Sequence, residues 1–127
     1  MSAPTGPILV VDDDEAVRHS LKFVLELEGL DVRLYEDGAR LLGEVALPEA
    51  GCLVVDHHMP GMDGVELVSH LRRREVELPV ILITGRCTKG LRARAAHAGI
   101  RQVVEKPFED GALLDGIRDA LSIGALP

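Results

Sequence analysis

Carboxylates stand at the ends of two short apolar runs in this sequence. Asp12 and Asp13 follow the run I-L-V-V, Asp56 follows C-L-V-V, and Thr84 and Lys106 come at the ends of two further runs. Adjacent carboxylates repel one another unless a cation offsets their charge, and Mg²⁺ prefers oxygen ligands. A carboxylate beside such an ion can attack phosphorus and form an aspartyl phosphate. These residue types therefore predict phosphoryl chemistry with Mg²⁺ (or Mn²⁺) as the cofactor.

For these side chains to act together, the fold must bring the ends of the apolar runs to one place. Short apolar runs alternate with segments whose apolar residues recur at helical spacing, and Gly29 and Gly124 stand where the first and last helices would end. We predict strands at residues 8–11, 32–35, 52–55, 79–83 and 103–104. We predict helices near residues 16–25, 39–45, 65–74, 91–98 and 113–121.

The order of these elements indicates an α/β fold. The first, third and fourth strands are apolar throughout, as strands covered on both faces are. Strands that alternate with helices form a parallel sheet, and right-handed crossovers leave few arrangements. We predict a flavodoxin-like five-stranded parallel sheet in the order 2-1-3-4-5, with helices on both faces. The carboxylates, the hydroxyl and the ammonium then share the carboxyl edge of the sheet, where ligands gather in such folds.

Each of these residues also has an ordinary structural interpretation. Aspartates before a helix are common N-caps and favour the helix dipole, and we assign Asp14 and Glu15 to that role. Thr84 alone is an unremarkable strand end, and Lys106 alone is a surface lysine. Their joint placement at four strand ends is what favours a phosphoryl site.

Length, composition and charge narrow the class of protein. With 127 residues and 46% apolar content, we predict a single globular domain over residues 1–127. The net charge of −7 and the low aromatic content argue against direct binding of nucleic acid. Because we find neither an apolar run of about 20 residues nor a signal peptide, we expect a cytoplasmic protein with no membrane contact. Cys52 and Cys87 fall at opposite ends of neighbouring strands, which predicts free thiols.

Four motifs in this order resemble a known family. They are D-D at 12–13, C-L-V-V-D-H-H-M-P-G-M-D-G at 52–64, P-V-I-L-I-T-G at 79–85 and E-K-P-F at 105–108. The chain resembles the receiver domain of bacterial two-component response regulators over about residues 7–122. The residues of its motifs are most similar to those of the nitrogen-fixation (FixJ-like) class. The resemblance implies the CheY-like form of the predicted sheet and a signalling phosphoacceptor rather than a metabolic enzyme.

The resemblance assigns roles to three aspartates of the motifs. It implies that Asp56 accepts a phosphoryl group from a histidine kinase or a histidine phosphotransfer protein. Asp13 and Asp56 would ligate the Mg²⁺ through their side chains, and Asp12 would place it partly through water. The backbone carbonyl of His58 would be the remaining protein ligand.

The resemblance also implies how the domain switches. Thr84 would follow the phosphoryl group and move the loop after the fourth strand. Lys106 would pair with the phosphate, and a cis Lys106–Pro107 peptide bond would direct the lysine inward. The family usually carries Tyr or Phe three residues before the lysine, where this chain has Val103. We therefore expect the fourth strand and helix to shift through another side chain or through a change of order.

Histidines directly after the phosphoacceptor are unusual. One interpretation is a loop in which His57 and His58 face solvent or pack locally. A sharper hypothesis is that His58 and Arg86 flank the phosphoryl group and tune its lifetime by gating water. Metal binding by the paired imidazoles is a third and weaker alternative, and the other histidines, His19, His70 and His97, read as ordinary helix residues.

Residues 78–104 contain no acid although the chain as a whole is acidic. This stretch covers the predicted fourth helix, which is rich in alanine and which we expect to be weakly anchored and mobile. Its face, from the fourth to the fifth helix, is either a solvated surface or a contact for a receiver homodimer or a protein output partner. The cations of the stretch are Arg86, Lys89, Arg92, Arg94 and Arg101.

Two other functions compete with a phosphorylated signalling module. A pseudo-receiver would act as an interaction scaffold without phosphorylation. The departures at Val103 and at His57 and His58 favour it. The residues whose presence argues against it are Asp13, Asp56, Thr84 and Lys106. A Mg²⁺-dependent phosphohydrolase would also use an aspartate nucleophile, but it would want a second acid where His58 stands. The sequence leaves open whether the chain is a stand-alone receiver or a part of a longer regulator.

Overall fold

Five strands and five helices alternate along residues 6–107 and 111–123, the part of the chain that this computed structural model describes. The strands are β1 (Ile8–Val11), β2 (Val32–Tyr35), β3 (Cys52–Asp56), β4 (Val80–Thr84) and β5 (Gln102–Glu105). The helices are α1 (Glu15–Leu27), α2 (Gly38–Leu42), α3 (Gly64–Arg73), α4 (Lys89–His97) and α5 (Ala112–Ile123).

The strands form one parallel sheet in the order β2-β1-β3-β4-β5, which confirms the predicted fold. Val11 is the register partner of Val55, so Asp12, directly after β1, and Asp56, the last residue of β3, lie at the same level of neighbouring strands. Thr84 is paired with Glu105 at the end of the β4–β5 ladder. The carboxyl edge of the sheet therefore carries the residues that the sequence singled out.

Two layers of core side chains cover the sheet, one on each face. Alternate residues of a strand point to opposite faces, so Leu9 and Val11 face one layer while Ile8 and Val10 face the other. Helices α2, α3 and α4 pack on the first layer, and α1 and α5 pack on the second. Both faces of β1, β3 and β4 are thus buried, which explains their continuous apolar sequence.

Helix caps fix where the helices begin beside the carboxyl edge. Asp14 caps α1 by accepting hydrogen bonds from the backbone of Ala16 and Val17, as we predicted for it. Asp63 caps α3 in a capping box with Glu66. Each cap satisfies backbone N–H groups that the first turn of a helix leaves without partners.

Some element boundaries differ from the sequence-based prediction. The helix predicted at 39–45 ends at Leu42 with Gly43 as its C-cap, and Val45 beyond it is fully exposed, so nothing there supports another turn. β4 extends to Thr84 and β5 extends to Glu105, both at the carboxyl edge of the sheet. α4 begins at Lys89 because Thr88 caps it. Within α1, Leu21 and Leu25 are buried, whereas Val24 is 51% exposed. Gly124, the predicted end of α5, lies outside the described residues.

Cys52 and Cys87 are free thiols, as predicted. Cys52 is buried at the start of β3, and Cys87 lies beyond the end of β4, so the sheet separates them. Among the helices that the structure describes, none is both long enough and apolar enough to span a membrane.

Candidate functional site

Three carboxylates converge at the junction of β1 and β3. Asp12 and Asp56 are 1% and 5% exposed, and Asp13 is exposed beside them. One carboxylate oxygen from each of Asp12, Asp13 and Asp56 lies within 4.8 Å of the others. The structure thus brings together two segments that are more than forty residues apart in the chain.

The backbone around Asp12 is held from three sides. Its N–H donates to the Tyr35 carbonyl over 3.1 Å, and its Oδ1 accepts the Asp14 N–H over 2.9 Å. The guanidinium of Arg18, which is 9% exposed, donates from Nη1 to the Asp12 carbonyl over 2.7 Å. We did not identify Arg18 from the sequence, although an arginine among the apolar positions of α1 is the signal that could have found it.

Lys106 reaches the acidic cluster from the end of β5. Its Nζ lies 3.4 Å from Asp56 Oδ1 and 3.6 Å from Asp12 Oδ2. Its backbone N–H donates to the Thr84 carbonyl over 2.7 Å, and the Lys106–Pro107 peptide bond is cis. The ammonium therefore pairs with both buried carboxylates at once.

The two buried carboxylates resist ionisation. Burial raises the pKa of Asp56, the charge on Asp12 raises it further, and Lys106 opposes the change. Burial likewise raises the pKa of Asp12, against the lowering effect of the Asp14 N–H and of Lys106. Desolvation and like charge both disfavour the ionised forms. Added positive charge at this point would therefore favour the ionised carboxylates.

The donor set fits a hard divalent cation. It consists of oxygen atoms from three carboxylates, and thiolate or imidazole ligands are not among the clustered groups of the described residues. Asp12 Oδ2 is buried and accepts no hydrogen bond within the described part of the chain, although Lys106 Nζ lies 3.6 Å from it. A buried carboxylate oxygen that accepts no hydrogen bond is costly, and the one charge of Lys106 is shared with Asp56. Asp12, Asp13 and Asp56 could thus hold a metal ion.

Thr84 is fully buried at the end of β4, next to the cluster. Its hydroxyl donates to the Arg86 carbonyl over 3.1 Å and accepts the Arg86 N–H over 3.2 Å. His58 Nε2 lies 3.4 Å from the same oxygen. The Arg86 side chain is exposed, so its main chain rather than its guanidinium engages Thr84.

The two histidines after Asp56 have different surroundings. His57 is 8% exposed, its Nδ1 lies 4.0 Å from Asp63 Oδ1, and its ring packs edge-on against that of His58. Burial lowers the pKa of His57, while Asp63 opposes that change. His58 is exposed above Thr84. His57 thus packs locally, whereas His58 faces solvent.

Asp63 connects this loop with helix α4. Its Oδ2 accepts a hydrogen bond of 3.2 Å from Nη2 of Arg94. Burial opposes ionisation of Asp63, but the Glu66 N–H, Arg94 and the His57 ring outweigh burial and lower its pKa. The sequence alone does not reveal this connection, because no local pattern links residues that lie 31 positions apart.

Val103 and the basic stretch lie on the α4 side of the sheet. Val103 is half-buried and packs against the core layer beneath α3 and α4. The five cations of the stretch are all exposed: Arg86, Lys89, Arg92, Arg94 and Arg101. The acid-free segment is therefore a positively charged surface.

Comparison with known proteins supports one family. Residues 8–118 match the model of the response regulator receiver domain. The chain is 39% identical over 119 residues to the transcriptional regulatory protein FixJ of Azorhizobium caulinodans, covering 94% of this chain and 56% of that protein. It is 40% identical over 119 residues to the C4-dicarboxylate transport transcriptional regulatory protein DctD of Pseudomonas aeruginosa, covering 94% of this chain and 26% of that protein.

Solved structures give the same result. The full-length FixJ from B. japonicum superposes with a TM-score of 0.85 at 37% identity, covering 96% of this chain and 60% of that chain. Our chain thus spans about half the length of FixJ and about a quarter of DctD. Motifs, sheet order and acidic triad agree with these matches, and the chain belongs to the response regulator receiver domains, the signalling phosphoacceptors of two-component systems.

Proposed function

We propose that residues 1–127 form a single receiver domain whose phosphoacceptor is Asp56. The observation that carries this proposal is the ion-paired cluster at the carboxyl edge, where Lys106 lies 3.4 Å from Asp56 and 3.6 Å from Asp12. An acceptor carboxylate needs a nearby positive charge to stabilise the phosphoryl oxygens that arrive. Lys106 supplies that charge, and the neighbouring carboxylates supply the ligands for a cation.

The cation that suits this donor set is Mg²⁺ (or Mn²⁺). The side chains of Asp12, Asp13 and Asp56 and the backbone carbonyl of His58 would hold it, since magnesium takes oxygen ligands and few carboxylates. When bound, the ion offsets carboxylate repulsion and neutralises charge on the transferred group. The buried Oδ2 of Asp12, which accepts no hydrogen bond from the described residues and shares the charge of Lys106 with Asp56, supports this assignment.

Asp56 acts as the nucleophile in the proposed reaction. One of its carboxylate oxygens attacks the phosphorus of a phosphohistidine, and an O–P bond forms while the P–N bond breaks. The electron pair of the broken bond stays on the imidazole nitrogen, which takes up a proton. Water later attacks the same phosphorus, which releases inorganic phosphate and restores the carboxylate. Lys106 pairs with the phosphoryl oxygens throughout both steps.

Thr84 is the proposed sensor of the phosphoryl group. Its hydroxyl is buried beside the cluster and donates to the Arg86 carbonyl. A hydroxyl has one proton to donate, so donation to a phosphoryl oxygen requires the Arg86 contact to break. Phosphorylation would thereby move the loop after β4 and the helix that follows it.

His58 and Arg86 are the proposed tuning residues. Both side chains are exposed next to Thr84, one on the loop after β3 and the other on the loop after β4. From these positions they would limit the approach of water to the phosphoryl group. Substituting either one should therefore change the lifetime of the phosphorylated state more than the ability to form it.

The proposed partners act on two different surfaces. A histidine kinase or a histidine phosphotransfer protein would deliver the phosphoryl group at the carboxyl edge. The surface that runs from α4 past β5 to α5 would contact a second receiver or an acidic output protein, since the exposed cations on α4 and its flanks make that part positively charged on an acidic chain. Opposite charge steers association and sets which partner binds.

Mass spectrometry after incubation with acetyl phosphate and Mg²⁺ tests the proposal. We expect one added phosphoryl group on the wild type, none on Asp56→Asn, and none after chelation of the metal. Asp14→Asn is the matched control, because it removes a neighbouring charge while asparagine remains a good N-cap. An adduct that survives in Asp56→Asn would exclude Asp56 as the acceptor.

The same experiment distinguishes the scaffold alternative. Val103 in place of the family's aromatic residue favours a pseudo-receiver. Such a domain would give no adduct in the wild type under any metal condition. A single stable adduct that depends on Asp56 would reject it.

A further inference from the structure

One carboxylate ties the β4–α4 loop, residues 85–88, to the neighbouring edge strand. Glu105 ends β5 and is the register partner of Thr84 at the end of β4. Its Oε2 accepts a hydrogen bond of 2.7 Å from the backbone N–H of Cys87. Because Cys87 lies three residues beyond the end of β4, this contact extends the attachment between the two strands into the loop.

Glu105 also lies on the sheet face that carries α4. Residues two apart on a strand point to the same face, and Val103 packs against the core layer to which α4 contributes Leu91 and Ala95. Val103 has neither a polar atom nor a ring with which to reach the loop. The carboxylate of Glu105 makes that contact instead, two residues further along β5.

The loop in turn occupies the Thr84 hydroxyl. That hydroxyl donates its proton to the Arg86 carbonyl and accepts the Arg86 N–H. The very next N–H, from Cys87, is the one that Glu105 holds. The Glu105 contact and the Thr84 contacts therefore stabilise the same arrangement of residues 85–87.

We propose that Glu105 is a positioning residue that latches the β4–α4 loop in its unphosphorylated arrangement and couples it to β5 in a chain that has Val103. This inference rests on the proposed function for the role of Thr84. Release of the Cys87 N–H lets the loop move and leaves the Thr84 hydroxyl able to donate to a phosphoryl oxygen. A contact made in only one of two states shifts the equilibrium between them.

The thiol of Cys87 allows the loop to be followed directly. Cys87 is partly exposed, whereas Cys52 is buried and burial raises the pKa of its thiol to about 12. Thiolates are the species that react with alkylating agents. Alkylation of the folded full chain by iodoacetamide, read by mass spectrometry, therefore reports on Cys87.

Three variants separate the hydrogen bond from the charge. Glu105→Ala removes the acceptor, and Glu105→Gln keeps an acceptor oxygen without the charge. Glu49→Ala, the control, removes an exposed glutamate from the loop before β3, at the amino ends of the strands. We expect Glu105→Ala to speed alkylation of Cys87 about threefold, as the loss of one exposed hydrogen bond implies. Glu105→Gln should restore a rate within about twofold of the wild type, and Glu49→Ala should leave it unchanged.

Two results would overturn the latch. One is an alkylation rate in Glu105→Ala that equals the wild-type rate. The other is a Glu105→Gln rate as high as that of Glu105→Ala, since the effect would then come from charge near the thiol. Backbone exchange of the Cys87 N–H should follow the same order, fastest in Glu105→Ala.

A phosphoryl analogue extends the test to the switch. We expect Mg²⁺ with beryllofluoride to raise the alkylation rate of the wild type towards that of Glu105→Ala, and to bind Glu105→Ala about threefold more tightly by calorimetry. Equal affinity of the two proteins would refute the coupling. If the wild type forms no adduct with acetyl phosphate, the proposed function fails, and the comparison of Glu105→Ala with Glu105→Gln without analogue still decides on the latch.

Discussion

Helices α3 and α4 pack on the same face of the sheet, yet they are anchored very differently. Leu67 and Leu71 of α3 are fully buried, whereas the largest buried side chain of α4 is Leu91. The buried residues of α3 are Gly64, Val65, Leu67, Val68 and Leu71, and those of α4 are Leu91 and Ala95. Since burial of each large apolar side chain contributes about 1.5–3 kcal/mol, α3 is the more stable element.

Polar contacts widen the difference. Arg72, in the last turn of α3, donates to the carbonyls of Val76, Leu78 and Gly99 and so fixes the loops before β4 and β5. In α4, the Thr88 cap provides one side-chain bond, to the Leu91 N–H over 3.0 Å. Helix α3 is thus anchored by more side-chain contacts than α4, and we expect α4 to move at the lower cost.

Truncation of a core side chain is the substitution that we expect to change stability most. Leu67→Ala should lower the free energy of unfolding by about 2–5 kcal/mol, because the fully buried side chain leaves a cavity beneath the sheet. Leu91→Ala should cost less, since α4 can settle into the space. Urea denaturation measures both, and equal losses would contradict the assignment of α4 as the weakly anchored helix.

Hydrogen exchange should show the same contrast in the unmodified protein. We expect the amides of α4 to open with a free energy lower than those of α3 and α5 by about 2 kcal/mol. Helix α4 buries one large side chain, Leu91, whereas α3 buries several and α5 buries Leu113 and Ile117. Native-state exchange followed by mass spectrometry measures this. Protection in α4 equal to that in α5 would show that the helix is not mobile.

The cap of α3 should make that helix sensitive to acid. Its contacts in the folded protein hold the pKa of Asp63 below its ordinary value of 3.8. The ionised form therefore stabilises the fold above pH 3.8, and this contribution is lost as pH falls from there through the lower pKa of the folded state. Asp63→Asn keeps a cap acceptor but lacks this loss. Between pH 5 and pH 3, the wild type should therefore lose about 0.5–1 kcal/mol more stability than Asp63→Asn.

Chemical denaturation at each pH gives this difference. Asp31→Asn, which changes an exposed loop aspartate, is the control. If the free energy of unfolding of Asp63→Asn falls as steeply as that of the wild type between pH 5 and pH 3, the Asp63 cap is not the source of the acid sensitivity.

The smallest expected effect comes from the link between the two helices. Arg94 lies 3.2 Å from Asp63, and its side chain is 51% exposed, so the pair contributes about 0.2–1 kcal/mol. Arg94→Ala should raise the exchange rate of α4 amides slightly and leave those of α3 unchanged. Arg92→Ala, an exposed neighbour on the same helix, is the control. Equal effects of the two variants would remove Arg94 as a link.

Much of the fold and of the site follows from local sequence. Continuous apolar strands such as β3 specify burial on both faces, and the alternation of strands and helices leaves the order 2-1-3-4-5 as the natural arrangement. In a parallel sheet every strand ends at the same edge. Asp12, Asp56, Thr84 and Lys106 could therefore be assigned to one place before any coordinates were known.

Contacts between distant side chains could not be obtained in that way. The burial of Arg18 against the Asp12 carbonyl, the bond from Cys87 to Glu105 and the pair of Arg94 with Asp63 are examples. Such contacts depend on how helices and loops settle against one another, and that depends on packing across the whole molecule. The sequence alone specifies which strands end in reactive side chains, because the residue pattern of a strand is a local property. Which partner each polar group has depends on the tertiary structure, because that partner is set only when distant segments pack together and exclude water between them.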